Sequence, residues 1–326
     1  MRQKDIENIK EYIKNDFINF QKTFDESIKS DVSLINTVIN YIVKRKGKQI
    51  RPTLCLLSAN LCGTPNINTY VSASLLEILH IATLIHDDVV DESDLRRGWP
   101  SINRVWKNKI AILIGDFMFS KALSNMIKLK DFEALNVLST TSDRLSRGEL
   151  LQIEKAIKKD MTEKTYYKMV NDKTGSLFSA SCKLGALSVT KDNSKIVALS
   201  NYGEKFGLIF QIKDDLLDIL GDIDRLGKPA GYDLKKNMLT LPLIFILNKL
   251  EGKRRKLFKS QLRVSVKKNQ LNKIKNIIIE NGGIEYANNK IKEFKEDAIQ
   301  ELEIFDDSPI KESLVTVLEF SSSRNK

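Results

Sequence analysis

The stretch Ile81-Ala82-Thr83-Leu84-Ile85-His86-Asp87-Asp88-Val89-Val90-Asp91 is an apolar run that ends in three carboxylates. A second such stretch follows, Leu208-Ile209-Phe210-Gln211-Ile212-Lys213-Asp214-Asp215-Leu216-Leu217-Asp218-Ile219-Leu220. Each contains Asp-Asp-x-x-Asp. On a helix the first and last Asp of a cluster, Asp87 with Asp91 and Asp214 with Asp218, share one face. Like charges at that spacing weaken a helix by a few tenths of a kcal/mol. Carboxylates embedded in apolar sequence cost far more unless they are paired or bound to metal. Two core-like helices with the same liability call for a shared cation. Hard oxygen ligands without accompanying Cys suit Mg²⁺, which also takes waters and substrate phosphates.

Composition agrees with a helical chain that buries a large core. Of 326 residues 42% are hydrophobic, while 15 Gly and 6 Pro impose few breaks. The apolar residues recur at spacings of three and four, so the many Ile and Val do not read as strands. The spacing predicts helices over 1–30, 31–46, 52–62, 68–92, 101–106, 109–128, 131–157, 162–172, 174–189, 194–222, 240–250, 253–266, 269–281, 284–304 and 309–321. Gly63–Asn66, Arg96–Pro100 and 223–237 read as loops. The expected architecture is all-α, one domain over 1–326.

Three cysteines, Cys55, Cys62 and Cys182, are an odd number at unrelated spacings. They argue against a disulfide framework or a zinc site and fit a reducing cytoplasm, the expected location. The N-terminal residues do not read as a signal peptide, and no uninterrupted apolar run is expected to be long enough to span a bilayer. The net charge of +11 is concentrated in 253–275. It reads as a solvated basic face or a contact for anionic lipid head groups. No aromatic-interleaved basic signature indicates nucleic acid.

Taken in order, further motifs join the clusters. They are Gly47-Lys48-Gln49-Ile50-Arg51-Pro52, His80, Arg96-Arg97-Gly98, Gly115-Asp116, Gly148-Glu149 with Gln152, Lys173-Thr174-Gly175, Phe210-Gln211, Gly227-Lys228 and Thr240-Leu241-Pro242. With both Asp clusters, over about residues 35–300, the chain resembles the trans-isoprenyl diphosphate synthases of the polyprenyl synthetase family, and most of all their long-chain, octaprenyl-type members. The resemblance implies long antiparallel helices around a central cavity (the isoprenoid synthase fold) and a homodimer. It implies an enzyme that condenses isopentenyl diphosphate with an allylic diphosphate, with Mg²⁺ assisting departure of pyrophosphate. It also implies three Mg²⁺ per active site, a pair on Asp87 and Asp91 and a third on Asp214, with Asp88, Asp215 and Asp218 completing the metal set.

By the same resemblance Lys48, Arg51 and Arg97, with His80 alongside, hold the isopentenyl diphosphate. Arg96 and Lys228 contact the allylic diphosphate. Lys173, Thr174 and Gln211 face its reacting carbon. Such assignments suit the residue types, since Arg offers forked donors to phosphate and Lys a point charge. Gln211 is expected to share the face of Asp214, and His86 to support Asp87 or to pack. The pattern departs from the family where Gln49 replaces a second basic residue, where Lys46 replaces Gly, and where Asn237-Met238 replace Gly-Lys before Thr240. Lys235 or Lys236 are the candidates to replace that lysine.

Product length in the family follows from what blocks the cavity below the first cluster. Ala82 and Thr83 stand where early-stopping enzymes carry aromatics, and no aromatic occurs from Val71 to His86. That helix segment spans roughly 24 Å at about 1.5 Å per residue. An unplugged tunnel of that depth suggests a long product, and the resemblance to the family implies about six to nine isoprene units, or about C30–C45. The alternatives are a geranylgeranyl or farnesyl diphosphate synthase, with Phe117, Met118 or Phe119 as the plug, and a non-catalytic subunit of a heteromeric synthase. Release of a lipid product implies peripheral membrane contact.

Overall fold

The computed structural model describes residues 9, 11–45, 47–96, 98–220, 236, 238–267 and 270–324. Its elements run α1 (Lys14–Ser27), α2 (Ser33–Val43), α3 (Ile50–Cys62), α4 (Ile67–Val90), β1 (Leu95–Arg96), β2 (Trp99–Pro100), α5 (Ile102–Lys128), α6 (Phe132–Lys158) and α7 (Glu163–Val170). A π-helical turn (Asn171–Gly175) leads into α8 (Ser176–Leu187) and α9 (Asn193–Leu220). The chain closes with α10 (Leu241–Lys249), α11 (Gly252–Lys267), α12 (Leu271–Glu280), α13 (Gly283–Gln300) and α14 (Pro309–Ser323).

The all-α expectation holds, with boundaries mostly within a few residues. Local chemistry sets several of them. Helix α4 starts at a reciprocal cap, in which the Asn66 side chain accepts from the Asn68 backbone at 2.9 Å and Thr69 Oγ1 accepts from the Asn66 backbone at 3.1 Å. Lys107, at φ 70°, breaks α5 between the two segments the sequence separates. Two expectations fail. The loop at Arg96–Pro100 is an antiparallel hairpin pairing Leu95 with Pro100 and Arg96 with Trp99, turned at Gly98 with φ +78°. The expected break at Lys173 is absent, because α7 and α8 join through the π turn.

The chain forms two compact units. The first comprises Met1–Ser142, Leu177–Gly203 and Glu301–Val317. In it α4 packs against α1, α3 and α5. Phe20, Phe24, Leu54, Leu56, Leu57, Leu75 and Leu76 are fully buried there, each stabilising by about 1.5–3 kcal/mol. Gly185 brings α8 onto α3, since a Cβ would lie 2.2 Å from the Cys55 carbonyl oxygen. The second unit comprises Asp143–Ser176, Glu204–Gln300 and Leu318–Lys326. Its core gathers Ile219, Leu243, Ile246, Leu247, Phe258, Ile274 and Ile278.

Helices α4 and α5 are long and apolar enough to cross a membrane by length and composition. Charged residues interrupt both, Glu77 in α4 and Lys109 and Asp116 in α5, so neither is an uninterrupted apolar run. Helix α4 spends that character inside the first unit, with 61% of its apolar window buried. The three cysteines are free thiols. Cys55 and Cys182 are wholly buried, and burial pushes the Cys182 thiol up to about 12, so both serve packing.

Candidate functional site

Both Asp clusters lie in the last turns of long helices, where the carbonyl ends already carry partial negative charge. Asp87 and Asp88 are in the final turn of α4 and Asp91 is its C-cap. Asp214, Asp215 and Asp218 are in the last two turns of α9. Carboxylates there oppose the helix dipole, which strengthens the demand for a cation.

Within each cluster the middle carboxylate turns inward. Asp88 is 4% exposed and takes a 2.6 Å ion pair from Arg96 Nε on strand β1. Its Oδ1 is buried with no partner among the described residues. Asp215 is 4% exposed. It accepts from the Tyr166 hydroxyl at 2.6 Å and from Gln211 Nε2 at 2.9 Å. Burial pushes the Asp215 carboxyl up to about 7, against the two hydrogen bonds and with added repulsion from Asp214 and Asp218. Asp87, Asp91, Asp214 and Asp218 stay partly exposed. The outer pair of each cluster is thus placed to meet a ligand, while Asp88 and Asp215 orient from beneath.

In the first unit a half-open pocket is lined by Gly47, Gln49, His80, Asp88 and Arg96 on its polar side and by Phe24, Tyr41, Ile81, Leu84 and Ile85 on its apolar side. His80 therefore shares a wall with Asp88. Arg51 meets His80 at 3.0 Å and lies 4.3 Å over the Phe178 ring. Lys48 is exposed and does not line the pocket. Gln49 lines it from a left-handed backbone, φ 53°, with Nε2 buried and without a partner among the described residues. His86 reaches across to α5. Its Nε2 faces Asp116 and the Ile112 carbonyl, both at 3.3 Å. Gly115 leaves room for the imidazole, since a Cβ there would lie 2.2 Å from that nitrogen and the ring would have to shift.

In the second unit the π turn carries Lys173 and Thr174. Such turns insert an extra residue and re-aim side chains, often at functional sites. Lys173 Nζ lies 2.6 Å from Glu149 and 3.1 Å from Gln152 Oε1. Gly148 allows the approach, since a Cβ would lie 2.5 Å from the Lys173 backbone nitrogen. Thr174 donates to Gln211 Oε1 at 3.0 Å. A chain of contacts thus runs Thr174, Gln211, Asp215, Tyr166. Gln211 bonds Asp215, one residue beyond the Asp214 face expected for it. Gln152 also contacts the Met238 sulfur, at the position where a family lysine is missing. Arg144 braces the π turn from below through Asp172 and Glu204, each at 2.9 Å.

Tyr166, Arg144 and Arg324, which pairs with Asp214 at 2.8 Å, escaped the sequence reading. None lies in a motif, and Tyr166 is 49 residues from its partner. Arg97, Lys228, Lys235 and Lys46 lie outside the described residues, and Lys236 is exposed.

Among the described residues no three acidic or imidazole groups gather into a complete metal site. The donor set still fits a hard divalent cation. Each helix end offers partly exposed carboxylates, with the unpartnered buried Asp88 Oδ1 behind one of them. Two carboxylates from one helix face leave further coordination to water and phosphate oxygens, as Mg²⁺ prefers.

The family model for polyprenyl synthetase matches residues 32–280. The chain is 36% identical over 319 residues to an all-trans-nonaprenyl-diphosphate synthase (geranyl-diphosphate specific) of Rhodobacter capsulatus, covering 96% of each chain. It is 31% identical over 321 residues to the octaprenyl diphosphate synthase of Escherichia coli, covering 98% of this chain and 99% of the other. Among solved structures it superposes with TM-score 0.90 at 29% identity on a polyprenyl synthase from Caulobacter crescentus complexed with calcium and isoprenyl diphosphate, covering 98% of both chains.

Proposed function

Because the chain belongs to the polyprenyl synthetase family, we propose that it is a trans-prenyltransferase that extends an allylic diphosphate with isopentenyl diphosphate units to a long-chain polyprenyl diphosphate. The observation that carries this reading is the pair of Asp-Asp-x-x-Asp helix ends, each with its middle carboxylate buried and its outer carboxylates presented.

Asp87 and Asp91 would hold one pair of Mg²⁺ and Asp214 a third. The ions supply compensation for negative charge appearing on the departing diphosphate. Asp88 and Asp215, held in turn by Arg96 and by Tyr166 and Gln211, support the two clusters from their buried side. Lys173 presents a cation beside the allylic diphosphate and is itself aimed by Glu149 and Gln152. When the allylic C–O bond breaks, the electron pair leaves with pyrophosphate. Thr174 and Gln211 offer oxygen dipoles to the allylic cation and no nucleophile that would trap it. The double bond of isopentenyl diphosphate then attacks the cation, and a proton is lost to restore a trans double bond. Lys48, Arg51 and Arg97, with His80 alongside, hold the second diphosphate without a metal.

A product of about C30–C45 is supported by the small residues Ala82 and Thr83 on α4 and the aromatic-free stretch from Val71 to His86, a run of roughly 24 Å. A homodimer is supported by the exposed apolar residues Ile112, Leu113, Phe119, Leu123 and Ile127 along α5. The test is incubation with farnesyl and isopentenyl diphosphates followed by product sizing. Long polyprenyl diphosphates are expected from the wild type, and shorter ones from Ala82→Phe. A wild type stopping at fifteen or twenty carbons overturns the length assignment. Asp87→Ala should cut turnover by orders of magnitude with the fold intact, and a nearly normal rate overturns the metal assignment.

A further inference from the structure

Arg324 follows directly on α14, far along the chain from either motif. The end of α14 is anchored, with Ser321 1% exposed and Glu319 paired to Lys295 at 2.8 Å. From that anchor the guanidinium reaches into the second cluster. Its Nη2 donates to the Phe210 carbonyl at 2.7 Å and to Asp214 Oδ1 at 2.8 Å. Its plane lies 3.8 Å from the centre of the Phe210 ring. The Arg324 side chain keeps only 11% of its exposure, while Asp214 keeps 42%.

Burying a cation this far needs compensation, and a rim ion pair would not require it. The stack on Phe210 and the bond to its carbonyl fix the guanidinium independently of Asp214. The carboxylate is therefore the member of the pair that is being held. The contact to Asp214 is a single Nη2–Oδ1 pair, and it is the seat on the Phe210 ring and carbonyl that aims that nitrogen at the carboxylate, a placement a lysine ammonium would share only in part.

We propose that Arg324 is a positioning residue for Asp214, orienting its carboxylate for the divalent cation and diphosphate. The inference rests on the reading that Asp214 is a metal ligand. Partners of this kind typically change metal affinity by about 10–100-fold when removed. Asp214 lies one helical turn beyond Phe210, so a single guanidinium clamps both consecutive rungs of the α9 face.

The test uses the full chain and needs no turnover. Mn²⁺ binding is followed by electron paramagnetic resonance in the presence of inorganic pyrophosphate, for the wild type, Arg324→Gln, Arg324→Lys and Asp214→Asn. Arg324→Gln should weaken Mn²⁺ by about tenfold and Arg324→Lys should recover part of the loss. In steady state Arg324→Gln should lower kcat and leave the KM for isopentenyl diphosphate unchanged. Unaltered Mn²⁺ binding in Arg324→Gln, with Asp214→Asn weakened, overturns the role of Arg324 alone. Tighter binding in Arg324→Gln also overturns it, since the arginine would then be competing with the cation. Unaltered binding in Asp214→Asn overturns the metal reading beneath it.

Discussion

Arg96 and Asp88 are partners at 2.6 Å, yet removing one should not cost what removing the other costs. The Asp88 side chain retains 5% of its exposure and the Arg96 side chain 32%. Arg96→Met deletes the cation and leaves a buried carboxylate whose second oxygen already has no partner among the described residues. Stripping a buried charge of its partner costs about 3–5 kcal/mol. Asp88→Asn keeps the shape and leaves a guanidinium that is one-third exposed and able to turn its head toward water. That loss should be about 1–2 kcal/mol, the scale of an ordinary hydrogen bond. The assay is urea unfolding of the full chain in chelator-containing buffer, so that no cation compensates Asp88. Arg96→Met should lose at least about 2 kcal/mol more than Asp88→Asn. In the double variant the stranded charge is gone, so the total should fall below that of Arg96→Met alone. Equal losses, or a larger loss for Asp88→Asn, would refute the argument that burial decides the asymmetry.

Gly148→Ala should destabilise by about 1–3 kcal/mol and depress turnover, because the new methyl meets the Lys173 backbone at 2.5 Å; urea unfolding and initial rates check both, and a stable, fully active variant removes the packing explanation. Leu123→Glu with Ile127→Glu should shift the protein from dimer to monomer in sedimentation, since those side chains are 49% and 71% exposed on one face of α5; an unchanged mass means that face is not the interface. Reversing Lys253, Arg254, Arg255 and Lys256, all exposed on α11 beside Leu257, should abolish flotation with vesicles rich in anionic lipid. Equal flotation of variant and wild type would place any membrane contact elsewhere.

Much of the fold was legible in the sequence because helical periodicity is local. Apolar spacings of three and four marked α3, α4, α5 and α9, and the breaks at Gly63–Asn66 and near Lys107 coincide with a cap and a left-handed residue. Two Asp-Asp-x-x-Asp runs in apolar helices likewise marked places where carboxylates need a partner, and two of those six, Asp88 and Asp214, pair with arginines. Periodicity could not reveal the π turn that carries Lys173 and Thr174, because a single turn with wider hydrogen bonding leaves no mark on apolar spacings of three and four.

Nor could it say which carboxylate of a cluster turns inward. Three aspartates in five residues look alike in one dimension, and their roles separate only when partners arrive from elsewhere in the chain. Arg96 reaches Asp88 from a hairpin, Tyr166 reaches Asp215 from α7, and Arg324 reaches Asp214 from the end of α14. Residue types and their helical spacing settle what a segment is able to bind, because those are properties of a few consecutive residues. Burial and orientation belong to the packed chain, because a carboxylate's surroundings are built from residues as distant in sequence as Arg324 is from Asp214.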